Sequence, residues 1–196
     1  MNKSILISLA EFLFLGLLLV SIRFIVGIDK EAFLSGASEN TLTQYTQESL
    51  LLFSAVLFGV CAWHRKESRG FLVLVAGFLG CMFIREFNNQ LDLIMHGFWV
   101  YPALLLAVTC IVYARFCDSE VISPMATYTQ TRSYIYLSVG LLIVLVFSRV
   151  FGSGSLWKDL MMLDYQGAYK KMIQEGLELF GYVFIAWGSW LAYRNK

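Results

Sequence analysis

The chain has 196 residues, 58% hydrophobic, 16% aromatic and only 15% charged, with a mean hydropathy of +0.66. Soluble domains carry about 25% charged residues, so this composition argues against a soluble globular protein. The formal net charge of +1 argues against a nucleic-acid partner or any bulk polyanion.

The apolar residues come in long blocks, the pattern of membrane-spanning segments. With two prolines and no low-complexity tract, residues 1–196 read as one transmembrane domain, an all-α bundle of six spans. The first block runs from about Ile5 to Ile28, long enough to cross ~30 Å of hydrocarbon. Lys3 before it imitates a signal peptide. The block is longer than a signal core, contains Glu11 and lacks a small-x-small cleavage site, which makes it a first span. Residues 29–46 form a polar loop with Asp29, Lys30, Glu31 and Glu39. The second span covers 47–63, and His64-Arg65-Lys66-Glu67-Ser68-Arg69-Gly70 is a tight basic connection.

The third span starts at Phe71 and carries Arg85, Asn89, Asp92 and His96 in its second half. If one helix continues to His96, these residues stand at i, i+4, i+7 and i+11 on a single face. Gly97 ends it. The fourth span, 98–116, has Trp99 and Tyr101 at one end and Tyr113 at the other, as an aromatic belt requires. A polar loop follows over 117–133, then a fifth span over 134–151. Gly152-Ser153-Gly154-Ser155 is a flexible break. Residues 156–171 mix Trp157, Leu160 and Met161 with Lys158 and Asp159, the pattern of a short helix in the membrane interface. The sixth span covers 172–193.

An even number of spans puts both termini on one side. That side holds Lys3, Arg65, Lys66, Arg69, Arg115, Arg132, Arg194 and Lys196; the other holds Lys30, Lys158, Lys170 and Lys171. The positive-inside rule then places both termini in the cytoplasm of an inner or plasma membrane. Helices 1–2 also resemble helices 5–6. Gln47-Glu48-Ser49-Leu50-Leu51-Leu52-Phe53 matches Gln174-Glu175-Gly176-Leu177-Glu178-Leu179-Phe180, and the register extends to Trp63 and Trp190. A parallel repeat is therefore expected, an arrangement known in transporters. Of the four cysteines, Cys61, Cys81, Cys110 and Cys117, none stands in a CxxC or metal-finger spacing, and free thiols are expected.

With this topology the ionisable groups converge in the outer half of the bundle. Glu48 opens helix 2, Arg85 and Glu86 lie in helix 3, Arg149 ends helix 5, and Glu175, Glu178 and Tyr182 form a stripe on helix 6. A charge on the lipid face near the bilayer centre costs at least ~2.5 kcal/mol, so these groups must face protein or water. The expected binding residues are Glu48, Arg85, Glu86, Asn89, Asp92, His96, Arg149, Glu175 and Glu178. The expected function is binding of a cation or small polar ligand, for transport or sensing. Two alternatives stand beside it. A mutually neutralised cluster would make the chain a non-catalytic accessory subunit of a membrane complex. A divalent metal held by Glu48, His96, Glu175 and Glu178 would make it a membrane-embedded hydrolase. No other cofactor is expected. His64 and His96 bracket helix 3 about 30 Å apart and cannot share a haem. Glu11, near the inner face, is expected to snorkel or to pair with an inner arginine. The bilayer is the expected partner. Small residues on helix 2, Ala55, Gly59 and Ala62, suit close packing in this bundle, with a second copy or with a partner subunit.

Overall fold

A computed structural model describes residues 3–36, 41–116 and 120–194, and the described part is helical with no strand. Cys117, Glu39 and Lys196 lie outside the described residues. In chain order the helices are α1 (Lys3–Ile28), α2 (Lys30–Ser35), α3 (Leu42–His64), α4 (Arg69–Glu86), α5 (Asn88–Asp92), α6 (Val100–Phe116), α7 (Ile122–Tyr128), α8 (Arg132–Leu142), α9 (Ser148–Phe151), α10 (Gly154–Met161) and α11 (Gly167–Arg194). A π-helical stretch, Ile143–Phe147, joins α8 to α9.

Neighbouring helices run in the order α6, α4, α3, α11, α8, and α1 lies against α11 and α3. Leu51 and Phe58 of α3, Leu79 of α4, Val144 of the π stretch, and Leu179, Tyr182 and Ile185 of α11 are wholly buried between them. The outward faces are apolar too: Phe12 is 72% exposed and Leu17 69%. A core and a surface that are both apolar suit a bundle immersed in hydrocarbon.

Among the described residues four helical segments are long and apolar enough to cross a membrane: Ile5–Ile28, Leu42–His64, Lys66–Glu86 and Arg132–Phe151. The two other expected spans differ for physical reasons. Helix α6 has 17 residues, about 25 Å of rise, short of ~30 Å of hydrocarbon. Helix α11 has 28 residues, but Lys170, Lys171, Gln174, Glu175 and Glu178 make its first half polar.

Helix starts follow local chemistry. Thr41 caps α3, its hydroxyl accepting from the Gln44 amide at 3.2 Å, and Thr131 caps α8 in the same way through the Tyr134 amide at 3.2 Å. This moves the start of the second span five residues upstream of the expected Gln47. Asp29, expected as an ordinary loop residue, is buried. Its carboxylate accepts from the amides of Leu42 and Thr43 at 3.0 and 2.6 Å and from the Thr43 hydroxyl at 2.6 Å. It thereby ties the end of α1 to the positive end of α3.

The third span ends earlier than the continuous-helix expectation. Helix α4 stops at Glu86, Phe87 turns, α5 adds five residues, and turns carry the chain to Val100. The turns are closed by Asp92, whose Oδ1 accepts from the Gly97 amide at 2.8 Å, with Gly97 at φ +80°. Arg85, Asp92 and His96 therefore do not share one helix face.

Helices α8 and α11 pack backbone against backbone. A Cβ on Gly140 would stand 2.6 Å from the Gly181 carbonyl oxygen, and one on Gly181 would stand 2.5 Å from Val144 Cγ2. One turn pair further along, Ser133 Oγ donates to the Gly188 carbonyl at 2.7 Å. Small residues here let two backbones approach, as in membrane helix pairs. The expected small-residue seam on α3 is different: Ala62 is buried, but Gly59 faces open space. Cys61, Cys81 and Cys110 are free thiols, as expected.

Candidate functional site: a charged cavity at the helix ends

The start of α3, the end of α4, the end of α9 and the start of α11 surround an open cavity of about 350 Å³. Its lining includes Gln44 and Gln47, Arg85, Glu86 and Asn88, Arg149, and Lys171, Gln174, Glu175 and Glu178, with Trp99 from the turn before α6. Termini gather polar residues here because helix ends leave backbone groups unpaired and lie nearest to water. The π stretch adds a residue to the turn just before Arg149.

Carboxamides and carboxylates interlock. Gln44 Nε2 donates to Glu48 Oε1 at 3.0 Å, and Gln174 Nε2 donates to Glu178 Oε1 at 3.1 Å. Both are i, i+4 pairs, one on α3 and one on α11. Gln47, 1% exposed, bridges the two helices: its Nε2 donates to the Glu175 carbonyl and to Glu175 Oε2, each at 3.1 Å. The wholly buried Tyr182 donates its hydroxyl to Glu86 Oε1 at 2.7 Å, linking α11 to α4.

Two guanidinium–carboxylate contacts lie in the cavity. Arg85 Nη2 stands 3.3 Å from Glu86 Oε1, and Arg149 Nη2 stands 3.6 Å from Glu178 Oε1. The Arg149–Glu178 contact ties α9 to α11. The Arg85–Glu86 contact is between neighbours on α4. Lys171 precedes Glu175 by one helical turn. Among the described residues no buried side-chain nitrogen or oxygen lacks a hydrogen-bond partner.

Of the nine residues expected from sequence, five line the cavity: Arg85, Glu86, Arg149, Glu175 and Glu178. Glu48, buried, joins through Gln44. Asp92 and His96 do not join. They pair with each other, His96 Nδ1 to Asp92 Oδ2 at 3.4 Å, with the His96 side chain fully exposed. The early end of α4 is the reason. The side chain of Asn89 lies outside what is described. Thr41, Gln44, Gln47, Asn88, Trp99, Lys171 and Gln174 line the cavity without having been expected there. For Gln44, Gln174 and Lys171 the i, i+4 spacing to Glu48, Glu178 and Glu175 was the available signal.

The metal set Glu48, His96, Glu175 and Glu178 is not assembled, because His96 faces outward with Asp92. Among the described residues no three His, Cys, Asp or Glu side chains come together to hold a metal ion.

Two further cavities lie elsewhere. One, of about 540 Å³, is lined by Arg65, Glu67, Phe71, Glu120 and Tyr128 beside the α3–α4 connection. Burial pushes the Tyr128 hydroxyl up to about 12, so it stays a neutral partner for the Ser133 hydroxyl 2.7 Å away. The other is an apolar groove of about 740 Å³ between α1, α3 and α11. Near it Glu11 pairs with Arg132 at 2.9 Å and accepts from Trp187 Nε1 at 3.1 Å, as expected for a carboxylate matched to an arginine. No protein-family model matches the chain, and no curated protein or solved structure is significantly similar to it.

Proposed function

We propose that this protein is a multi-span membrane protein that binds a cation or small polar ligand in the charged cavity, for transport or sensing. One observation carries the reading. Charged side chains from α4, α9 and α11 open onto one space at one end of a bundle whose long helices expose many large apolar side chains. Ligand pockets typically measure about 300–1,000 Å³, so a cavity of about 350 Å³ suits a small molecule or a hydrated ion.

In this reading the chain crosses the bilayer six times, with α6 and α11 as the spans added to the four apolar segments. Both termini are cytoplasmic. The basic α3–α4 connection, with Arg65, Lys66 and Arg69, lies at the opposite end of α3 from the cavity, which turns the cavity outward. The parallel repeat of helices 1–2 and 5–6 draws support from a shared device: Gln44–Glu48 on α3 and Gln174–Glu178 on α11. The device sits one turn away from the register of the sequence match, which aligns Gln47 with Gln174.

The accessory-subunit reading is favoured by a different observation. Arg149 and Glu178 meet across α9 and α11, and buried polar atoms among the described residues are satisfied within the chain. A lock needs nothing more.

Glu178→Gln separates the two. It removes a charge while keeping size and hydrogen-bonding capacity. A ligand at one hundred times its Kd adds about 2.7 kcal/mol to stability. For a ligand site, thermal unfolding in detergent should show a ligand-induced rise for the native protein that is lost in Glu178→Gln, with the unliganded transition nearly unchanged. For a lock, Glu178→Gln should lower the unliganded transition itself, and no small ligand should raise it in either protein.

A further inference from the structure

The cavity lining is balanced in charge, and this bears on what enters it. Three carboxylates, Glu86, Glu175 and Glu178, face the same space as three cations, Arg85, Arg149 and Lys171. The two signs are seated differently. The Glu178 and Glu86 side chains are 6% and 13% exposed, whereas those of Arg85 and Arg149 are 30% and 50% exposed. The negative groups lie deeper and the guanidinium groups lie closer to the opening.

A lone cation drawn to the most buried carboxylates, Glu178 and Glu86, competes for them with Arg149 and Arg85, while Glu175 is held by the Gln47 carboxamide. That leaves a guanidinium without its counter-ion and puts two positive charges against one carboxylate in one small space. A lone anion leaves a buried carboxylate in the same state. A molecule that carries both charges exchanges with a whole pair. Its ammonium group replaces the guanidinium at the carboxylate, and its acid group is received by the released guanidinium, whose planar fork suits carboxylate and phosphate oxygens. The net charge of the site does not change.

Resting on the ligand-binding reading above, we infer that the cavity takes a small zwitterion, an ammonium group joined to a carboxylate or phosphate by a short linker. The ammonium is directed inward to Glu178 and Glu86, and the acid is directed outward to Arg149 and Arg85. A free amino acid and the headgroup of an aminophospholipid share this chemistry.

The test uses the full chain in nanodiscs of phosphatidylglycerol, which carry no amine. β-Alanine, glycerophosphoethanolamine, ethylamine and acetate are titrated by calorimetry, and the thermal transition is followed in parallel. At least one of the two zwitterions should bind ten-fold or more tightly than either ethylamine or acetate. Arg149→Gln should reduce its affinity to the level of ethylamine. Including phosphatidylethanolamine in the discs identifies the source: competition with the free zwitterion points to the lipid headgroup, and its absence to a soluble ligand. If ethylamine binds as well as both zwitterions, the zwitterion inference fails and the cation reading stands. If none of the four binds, the zwitterion inference fails, and the ligand-binding reading fails with it only if sodium, potassium, magnesium and calcium also leave the thermal transition of the same discs unchanged. Should Arg149→Gln unfold, the four-ligand comparison on the native chain decides alone.

Discussion

The hydroxyl of Tyr182 donates a 2.7 Å hydrogen bond to Oε1 of Glu86, and Tyr182 is wholly buried. Helices α11 and α4 are not sequential neighbours in the bundle, yet this bond joins the floor of the cavity to both. Tyr182→Phe keeps the ring and removes only the donor. It should lower stability by about 1–2 kcal/mol, the cost of leaving a buried acceptor one partner short. Tyr182→Ala should cost more, about 3–5 kcal/mol, because a cavity is added. Reversible unfolding in mixed detergent micelles measures both. Equal losses for the two variants would show that the hydroxyl, not the ring, dominates.

Gln47 makes the direct polar bridge between α3 and Glu175 of α11. Gln47→Leu is close in volume and suits an apolar interface, yet it strips a donor from a backbone carbonyl and from a carboxylate. A loss of about 1–3 kcal/mol is expected in the same unfolding assay. A neutral or stabilising outcome would mean that water replaces the carboxamide, and the cavity would then be wetter at its floor than the geometry implies.

Close approach of α8 and α11 depends on Gly140 and Gly181. Gly181→Ala places a methyl group 2.5 Å from Val144 Cγ2, and Gly140→Ala places one 2.6 Å from the Gly181 carbonyl oxygen. Each should destabilise by about 1–3 kcal/mol through forced separation of the helices. Gly59 of α3 has open space around it, so Gly59→Ala should be neutral or stabilise by about 0.5–1 kcal/mol through helix propensity. Thermal transitions of the three variants side by side give the comparison, and a similar loss in all three would remove the packing argument.

Orientation is open to chemical labelling. In a background where the native cysteines are replaced by serine, Ser68→Cys in the α3–α4 connection should react with an impermeant maleimide only in inverted vesicles. Ser153→Cys, between α9 and α10, should react only in intact cells. Reversed labelling would turn the cavity to the cytoplasm. Labelling of both positions from one side would exclude an odd number of crossings between them.

The sequence by itself determined the helical class of this protein and the charge inventory of its candidate site. Long apolar blocks and a 15% charged fraction lead to a helical chain, and among the described residues four helical segments are long and apolar enough to cross a membrane. The cost of a lipid-facing charge likewise marked Arg85, Glu86, Arg149, Glu175 and Glu178 as inward-facing, and the tertiary structure gathers them on one cavity. What only the tertiary structure decided is which charges meet. Helical periodicity extends a face indefinitely, so it joined Asp92 and His96 to Arg85. The turn closed by Asp92 and Gly97 instead directs that pair to the surface. In the same way close backbone approach fell to Gly140 and Gly181 rather than to Gly59. Small residues permit close packing anywhere, and the crossings of α8 on α11 and of α4 on α6, at Gly77 and Gly80, use it while Gly59 does not. Pattern records what each residue can do, while contact across helices distant in sequence selects which of those possibilities is realised.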